Sequence, residues 1–238
     1  ASTEQWIIAY NMAGTAANND QFQTRIELAN YITATGVTTS NPITPSLPGG
    51  SAVVGGIQTI KTIGQLSIQI GTNNPSTVTV ENAAEYHVFL QAKFTANPAD
   101  SLEIDTLSIS ENGTIEEATA FDHVSIYLDG DNNGILDFVN DIDLGAGTRI
   151  GNYFRFTSLG QVIAPNESKN YLVVASLNGS SPENKTIQFK IPLNDSVYAF
   201  GKTSGLKATV IGAPVTGTLV TVKNIGTLTI VPGENNPE

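Results

Sequence analysis

Apolar and polar residues alternate along nearly every run of this chain. Between His87 and Phe94, Val88, Leu90, Ala92 and Phe94 share one face, with Phe89, Gln91 and Lys93 on the other. Between Phe121 and Leu128, Val124, Ile126 and Leu128 stand together, opposite His123, Ser125 and Tyr127. From Thr186 to Leu193 the set is Ile187, Phe189, Ile191 and Leu193. A period of two predicts strands with one buried face. Over Leu102 to Ser110 the apolar phase slips from Leu102/Ile104 to Leu107/Ile109, which predicts a β-bulge near Asp105-Thr106. Turn signals separate the runs: Asn97-Pro98, Glu111-Asn112-Gly113, Asn132-Asn133-Gly134, Asn178-Gly179 and Asn194-Asp195. The one helical candidate, Gly113 to Ala120, is short enough to read as a turn within a loop. The pattern predicts an all-β protein, a β-sandwich of immunoglobulin-like or jelly-roll topology.

Part of that pattern is written twice. Thr59 to Ser76 (TIKTIGQLSIQIGTNNPS) matches Thr221 to Glu238 (TVKNIGTLTIVPGENNPE) without gaps, 162 positions apart. The identities include Lys61/Lys223, Ile63/Ile225, Gly64/Gly226, Leu66/Leu228, Ile68/Ile230, Gly71/Gly233 and Asn73-Asn74-Pro75/Asn235-Asn236-Pro237. Trp6 to Leu28 lies in the same way on Tyr171 to Leu193, 165 positions apart, with Gly14/Gly179, Asn19/Asn184, Gln23/Gln188, Ile26/Ile191 and Leu28/Leu193 identical. The change of offset predicts three extra residues in the first copy, around Asn41 to Gly49. The expected organisation is the end of one sandwich repeat over residues 1–61, a complete repeat over 62–223, and the first strand of a further one over 224–238. A repeat without its front half exposes strand edges and half a core, so a neighbour or a longer protein is expected to complete it. On this reading residues 1–61 accept a strand and the C-terminal segment donates one. Ile225, Leu228 and Ile230 would then be buried in another copy, as Ile63, Leu66 and Ile68 are expected to be in their own unit.

Composition sharpens the picture. The 238 residues are 40% hydrophobic but only 14% charged, and the formal charge is −11. Asn, Thr, Ser and Gly carry the polar surface instead, as in many extracellular β-proteins. So acidic a chain has no basic patch for nucleic acid or anionic lipid, and favours cations. With no cysteine there is neither a disulfide nor thiolate chemistry. No apolar stretch approaches the roughly 20 residues that span a bilayer. Ala1-Ser2-Thr3 reads as a processed N-terminus, giving an expectation of export. Asn112, Asn166, Asn178, Asn184 and Asn194 head N-x-S/T sequons, sites for surface glycosylation.

One segment carries chemistry. Asp129 to Asp143 reads DGDNNGILDFVNDID, with oxygen-bearing side chains at positions 1, 3, 5 and 9 (Asp129, Asp131, Asn133, Asp137), glycine at 6 (Gly134) and the Ile135 carbonyl at 7. This is the spacing of an EF-hand-type calcium loop. Position 12 is Asn140, and Asp141 is taken as the last ligand. The alternative is an Asn-Gly hairpin turn with solvated carboxylates. His87 and His123 have no partner suited to catalysis in sequence, and Glu103 with Asp105 reads as surface decoration. No G-x-S-x-G, P-loop or H-E-x-x-H motif occurs, so no enzyme is expected.

Three segments, QAKFTANPADSLEIDTLSIS (from Gln91), HVSIYLDGDNNGILD (from His123) and IAPNESKNYLVVASLNG (from Ile163), resemble the calcium-loop β-sandwich repeats found in tandem in large secreted and cell-surface proteins. That resemblance implies an immunoglobulin-like sandwich, bound calcium and an extracellular address. The chain departs from the pattern in holding one repeat with two fragments. In that plan it is similar to donor-strand filament subunits of archaeal and bacterial surfaces, such as TasA-like bundling pili. The expected function is a secreted structural subunit that polymerises head-to-tail into a pilus-like filament stabilised by calcium, with copies of itself, and glycans, as partners. The alternative is an excised repeat of a multi-domain adhesin or a carbohydrate-binding module.

Overall fold

A computed structural model describes residues 5–12, 16–224, 226, 230 and 231. The chain divides into two compact units, Ala1–Thr62 and Ile63–Glu238. In the smaller unit the strands are two-residue pairs: β1 (Gln21–Phe22), β2 (Arg25–Ile26), β3 (Ala34–Thr35), β4 (Pro42–Ile43), β5 (Val53–Val54) and β6 (Gln58–Thr59). They pair as β1–β6, β2–β5 and β3–β4, all antiparallel.

The larger unit is an all-β sandwich. Its strands are β7 (Gln65–Ile70), β8 (Thr79–Glu81), β9 (His87–Ala96), β10 (Leu102–Glu111), β11 (Phe121–Asp129), β12 (Ile142–Ala146), β13 (Thr148–Ile150), β14 (Tyr153–Phe156), β15 (Gln161–Ile163) and β16 (Ser168–Leu177), followed by β17 (Thr186–Ile187), β18 (Phe189–Ile191), β19 (Val197–Gly201), β20 (Thr209–Ile211), β21 (Val215–Thr216) and β22 (Val220–Lys223). One sheet runs β12-β11-β16-β9-β7-β20. The other runs β13-β14-β10-β18-β21, with β15 and β19 also paired to β10, and a ribbon β17-β22-β8 flanks them. Two of these pairings are parallel, β7 with β20 and β8 with β22, and both bring the start of the unit against its end. The predicted helical candidate supplies a single turn, α1 (Glu117–Ala120).

The core lies between the sheets. Leu66, Ile68, Leu90, Phe94, Val124, Ile126 and Val173 come from one side, and Ile104, Leu107, Ile109, Phe156, Ile163, Phe189 and Ile191 from the other. The bulge expected in β10 is present: its pairing with β19 shifts register between Ile104 and Thr106, so both halves of the strand face inward. A second bulge in β9 overturns part of the alternation. Val173 pairs with Leu90 and Val174 with Val88, leaving Phe89 as the extra residue. Phe89 therefore enters the core, while Val88 packs on the outer face with Tyr127, Leu172 and Val174. Leu193 also departs from expectation: it is exposed, because β18 ends at Ile191 and a 3-10 turn begins at Asn194.

The smaller unit repeats the end of the larger one bond for bond. Gln21↔Thr59 and Phe22↔Gln58 occupy the places of Thr186↔Thr221 and Ile187↔Val220. Arg25↔Val54 and Ile26↔Val53 stand for Lys190↔Thr216 and Ile191↔Val215. Asn19 and Asn184 are both in the left-handed region, φ 70° and 67°, and each side-chain oxygen accepts from a lysine, Lys61 or Lys223. Gln23 donates to the Gly55 carbonyl as Gln188 does to that of Gly217. The hairpin pair Thr35↔Pro42 lies 165 positions before the Phe200↔Lys207 bridge, whereas Val53 lies 162 before Val215. The three extra residues thus fall between Ile43 and Val53, slightly later than the sequence alone suggested.

Phe189 packs against the rings of Phe89, Phe121 and Phe154, with centroids 5.4 to 6.1 Å apart. Phe189→Ala is expected to cost about 3–5 kcal/mol in denaturant unfolding of the larger unit. A loss below about 1 kcal/mol would place this residue outside the core.

Candidate functional site

The acidic loop connects β11 to β12. Asn132 and Gly134 turn it through the left-handed region, φ 61° and 75°. Carboxylate oxygens of Asp129, Asp131 and Asp141 lie within 4.8 Å of one another. Asp129 and Asp141 are nearly buried, and main-chain amides compensate their charge. Asp129 accepts from the Asn133 and Gly134 amides at 3.2 and 3.1 Å, and Asp141 from those of Gly130 and Asp137 at 2.9 and 2.8 Å. Asp131 accepts from the Asn133 amide and its side-chain nitrogen. The Asn133 oxygen accepts from the Ile135 amide. Asp137 stands apart from the trio, closing its own turn by accepting from the Val139 amide and the Asn140 side chain. Of the six predicted ligands, then, the fold gathers the carboxylates of Asp129, Asp131 and Asp141. An all-oxygen set on a tight glycine-containing loop fits a hard cation of the calcium type.

The strand pattern marks Gln91 only as a residue opposite the core, yet this residue ties the loop to the start of the unit. It is 0% exposed. Its Nε2 donates to Asp129 Oδ2, its Oε1 accepts from the Asn73 amide, its own amide donates to Asn74 Oδ1, and its carbonyl accepts from the Gly71 amide. Asn73 Nδ2 in turn donates to the Asn132 carbonyl within the acidic loop. Packing at this junction leaves no room for a Cβ on either glycine: at Gly71 it would sit 2.1 Å from Gln91 Oε1, and at Gly134 1.9 Å from the Asn73 carbonyl oxygen. The signal for this latch was the repeated Gly-x-Asn-Asn-Pro of residues 71–75 and 233–237.

The other candidates are dispersed. His87 is mostly buried against Phe89, and burial holds its pKa below the ordinary histidine value. His123 meets Ser176 Oγ and the Tyr86 ring. Glu103 pairs with Lys202, while Asp105 accepts from the Thr106 hydroxyl. All five sequon asparagines, Asn112, Asn166, Asn178, Asn184 and Asn194, are exposed, although the Asn178 side-chain nitrogen is engaged with the Thr119 carbonyl.

The smaller unit carries a groove of about 520 Å³ lined by Trp6, Ile8, Tyr10, Met12, Phe22, Ile26, Val53 and Val54. Except for Val54, whose counterpart Thr216 is exposed, their counterparts in the larger unit are core residues. Trp6 is 84% exposed against 3% for Tyr171, and Val53 46% against 3% for Val215. On the donor side, Ile225 and Leu228 lie outside the described residues, and Ile230 is 86% exposed within its own chain. Leu66 and Ile68, the counterparts of Leu228 and Ile230, are fully buried. Ile63 is not: it is 54% exposed, because it precedes the ladder that begins at Gln65.

No protein-family model matches the chain, and no curated protein does. Among solved structures, it is similar to "BslA - A bacterial hydrophobin" at 14% identity, covering 71% of this chain and 99% of the other with a TM-score of 0.22. It is also similar to a structure described as manganese lipoxygenase of Gaeumannomyces graminis with part of zonadhesin of Komagataella pastoris, at 10% identity, 89% and 78% coverage and a TM-score of 0.21. Likenesses this slight carry no argument about what the chain does.

Gln91→Ala removes both side-chain bonds and strips Asp129 of a donor. It is expected to destabilise the larger unit by about 2–3 kcal/mol. Unchanged thermal unfolding would show that the latch contributes nothing to stability.

Proposed function

We propose that this chain is an extracellular structural subunit that joins copies of itself by strand donation, with a structural rather than a catalytic role. The observation that carries the proposal is the smaller unit itself: it reproduces the strand register of residues 186–223, yet the face those strands bury in the larger unit is open on it. An apolar face with unpaired strand edges gains main-chain hydrogen bonds and buried area when another strand is added. Joining the C-terminal segment of one copy to residues 1–62 of the next is a heterologous contact, which does not close and therefore grows a filament. The low charged fraction, with Asn, Thr, Ser and Gly carrying the polar surface, and the exposed sequons support an extracellular setting and glycans on its surface.

Calcium belongs to the same proposal. Asp129, Asp131 and Asp141 would hold it, with Asn133, the Ile135 carbonyl and Asp137 as the remaining oxygens of the loop. A cation there would neutralise three crowded carboxylates and brace the loop against which Asn73 packs.

One observation favours a second reading, a repeat from a tandem array in a cell-surface adhesin or carbohydrate-binding protein. In the larger unit the carbonyl of Phe89 lies 2.6 Å from where a Cβ on Gly217 would be, so β9 crosses that glycine. Gly55 keeps the glycine in the smaller unit, where the nearest atom to such a Cβ is the Thr24 carbonyl oxygen at 3.4 Å. A body of strands like β9, beyond a single donated strand, would use that space.

Trp6 is the sole tryptophan and reports on the groove. With rising concentration, size-exclusion chromatography and negative-stain microscopy are expected to show polymers, and Trp6 emission to shift to the blue. Deleting Gly226–Glu238 should abolish both changes. A chain that stays monomeric with red-shifted emission overturns strand donation in favour of the tandem-repeat reading. For the metal, calcium at about 100 times its Kd is expected to stabilise the fold by about 2.7 kcal/mol, raising Tm, and EDTA to reverse this. Asp131→Ala should erase the response. A melting curve indifferent to calcium and EDTA rejects the ligand assignment.

A further inference from the structure

We propose that the larger unit is itself a strand acceptor, and that residues 226–237 of a second copy take the place of residues 64–75 on it. This rests on the self-association reading above, but locates the contact on a different surface. Every position at which the larger unit constrains its first strand and turn carries a compatible residue in the C-terminal segment.

Two of these constraints are steric. A Cβ at Gly64 would lie 2.4 Å from Leu102 Cδ2, and one at Gly71 2.1 Å from Gln91 Oε1. The C-terminal segment has Gly226 and Gly233 there. Two are apolar: the fully buried sites of Leu66 and Ile68 would receive Leu228 and Ile230. Two are polar: Asn73 Nδ2 donates to the Asn132 carbonyl and Asn74 Oδ1 accepts from the Gln91 amide, and Asn235 and Asn236 match them.

The most demanding position is that of Ile70, where the C-terminal segment has Pro232. Gly71 donates its amide to the Gln91 carbonyl, and Ile70 stands opposite Ala92. Bonded and non-bonded pairs alternate in an antiparallel ladder, so Ile70 and Ala92 form a non-bonded pair and the Ile70 amide points away from β9. On that other side β20 has already ended, at Ile211 opposite Ser67. Neither ladder uses the Ile70 amide, and a proline fits without loss of a ladder bond.

The smaller unit meets only part of this description. It corresponds to Tyr171–Lys223 of the larger one and holds no counterpart of β9 or of the acidic loop. An apolar strand could lie in its groove, but the Gly-x-Asn-Asn-Pro turn would find no Gln91 there. Exchange on the larger unit replaces each bond of β7 with its equivalent, so it is set by concentration and slowed by the release of β7.

The test uses a fluorescent peptide of residues 221–238 with the full chain, following co-elution and Trp6 emission together. Uptake is expected to be slow, to leave Trp6 emission unchanged, and to weaken about tenfold or more when the peptide carries Gly233→Ala or the pair Asn235→Ala and Asn236→Ala. Leu66→Ala in the chain, which loosens the resident strand, should raise uptake about tenfold. Because the turn substitutions are made in the peptide, folding of the chain does not confound them. Uptake that shifts Trp6 emission and ignores those substitutions overturns this inference while leaving donation to the smaller unit standing. No uptake, even with Leu66→Ala, overturns the inference outright.

Discussion

A β-strand with one apolar face has two debts, a ladder of main-chain groups along each edge and a face to be kept from water, and this molecule shows the same strands in both conditions. β17, β18, β21 and β22 have their face covered by β7, β9 and β16, and Ile187, Ile191, Val215 and Val220 disappear from solvent. β1, β2, β5 and β6 keep the same pairings and the same side-chain bonds, while their face remains open. Register thus survives without the rest of the sandwich, because it is set by bonds within these strands and their turns, such as Lys61 to Asn19 and Gln23 to Gly55. Burial does not survive, because it is set by strands distant in sequence.

The larger unit closes its own beginning through Gln91. One residue on the outer face of β9 contacts the end of β7, the Asn-Asn-Pro turn and the first acid of the loop. A change in that loop, by substitution or by a bound cation, therefore bears on how firmly the first strand is held. The phenylalanines are the hydrophobic counterpart of this arrangement, with the Phe89, Phe121, Phe154 and Phe189 rings meeting edge-on or tilted in the core.

Much of this was legible in the sequence, for reasons that differ by element. The strands, the β10 bulge and the exposed turns follow from a period of two interrupted in phase, a purely local signal. The repeat was legible because identity at fixed spacing needs no structural knowledge. The β9 bulge was not: Val88 and Phe89 are both apolar, so either phase satisfies the pattern, and only pairing with Val173 and Val174 decides it. Leu193 misled because it continues an alternation one step past the end of its ladder, and Ile63 because it precedes its ladder and stands out of phase with Leu66 and Ile68. In the acidic loop the spacing found Asp129, Asp131 and Asp141, but the turn at Asp137–Asn140 redirects Asp137 to local amides. Gln91 was missed because its partners come from two segments, 17 and 38 residues away.

The parallel pairing of the unit's first strands with its last ones has a mechanical meaning. β7 runs beside β20, and β8 beside β22, in the same direction, so the chain enters the unit at one end of these pairs and leaves at the other. A pull on the two ends draws the paired strands lengthwise past each other. The hydrogen bonds between them then share the load as a group instead of opening in sequence, as they would in a hairpin peeled from its free ends. Rupture under such loading is governed by an unfolding rate rather than by equilibrium stability. Built into a chain of such units, the geometry suits a fibre that bears tension.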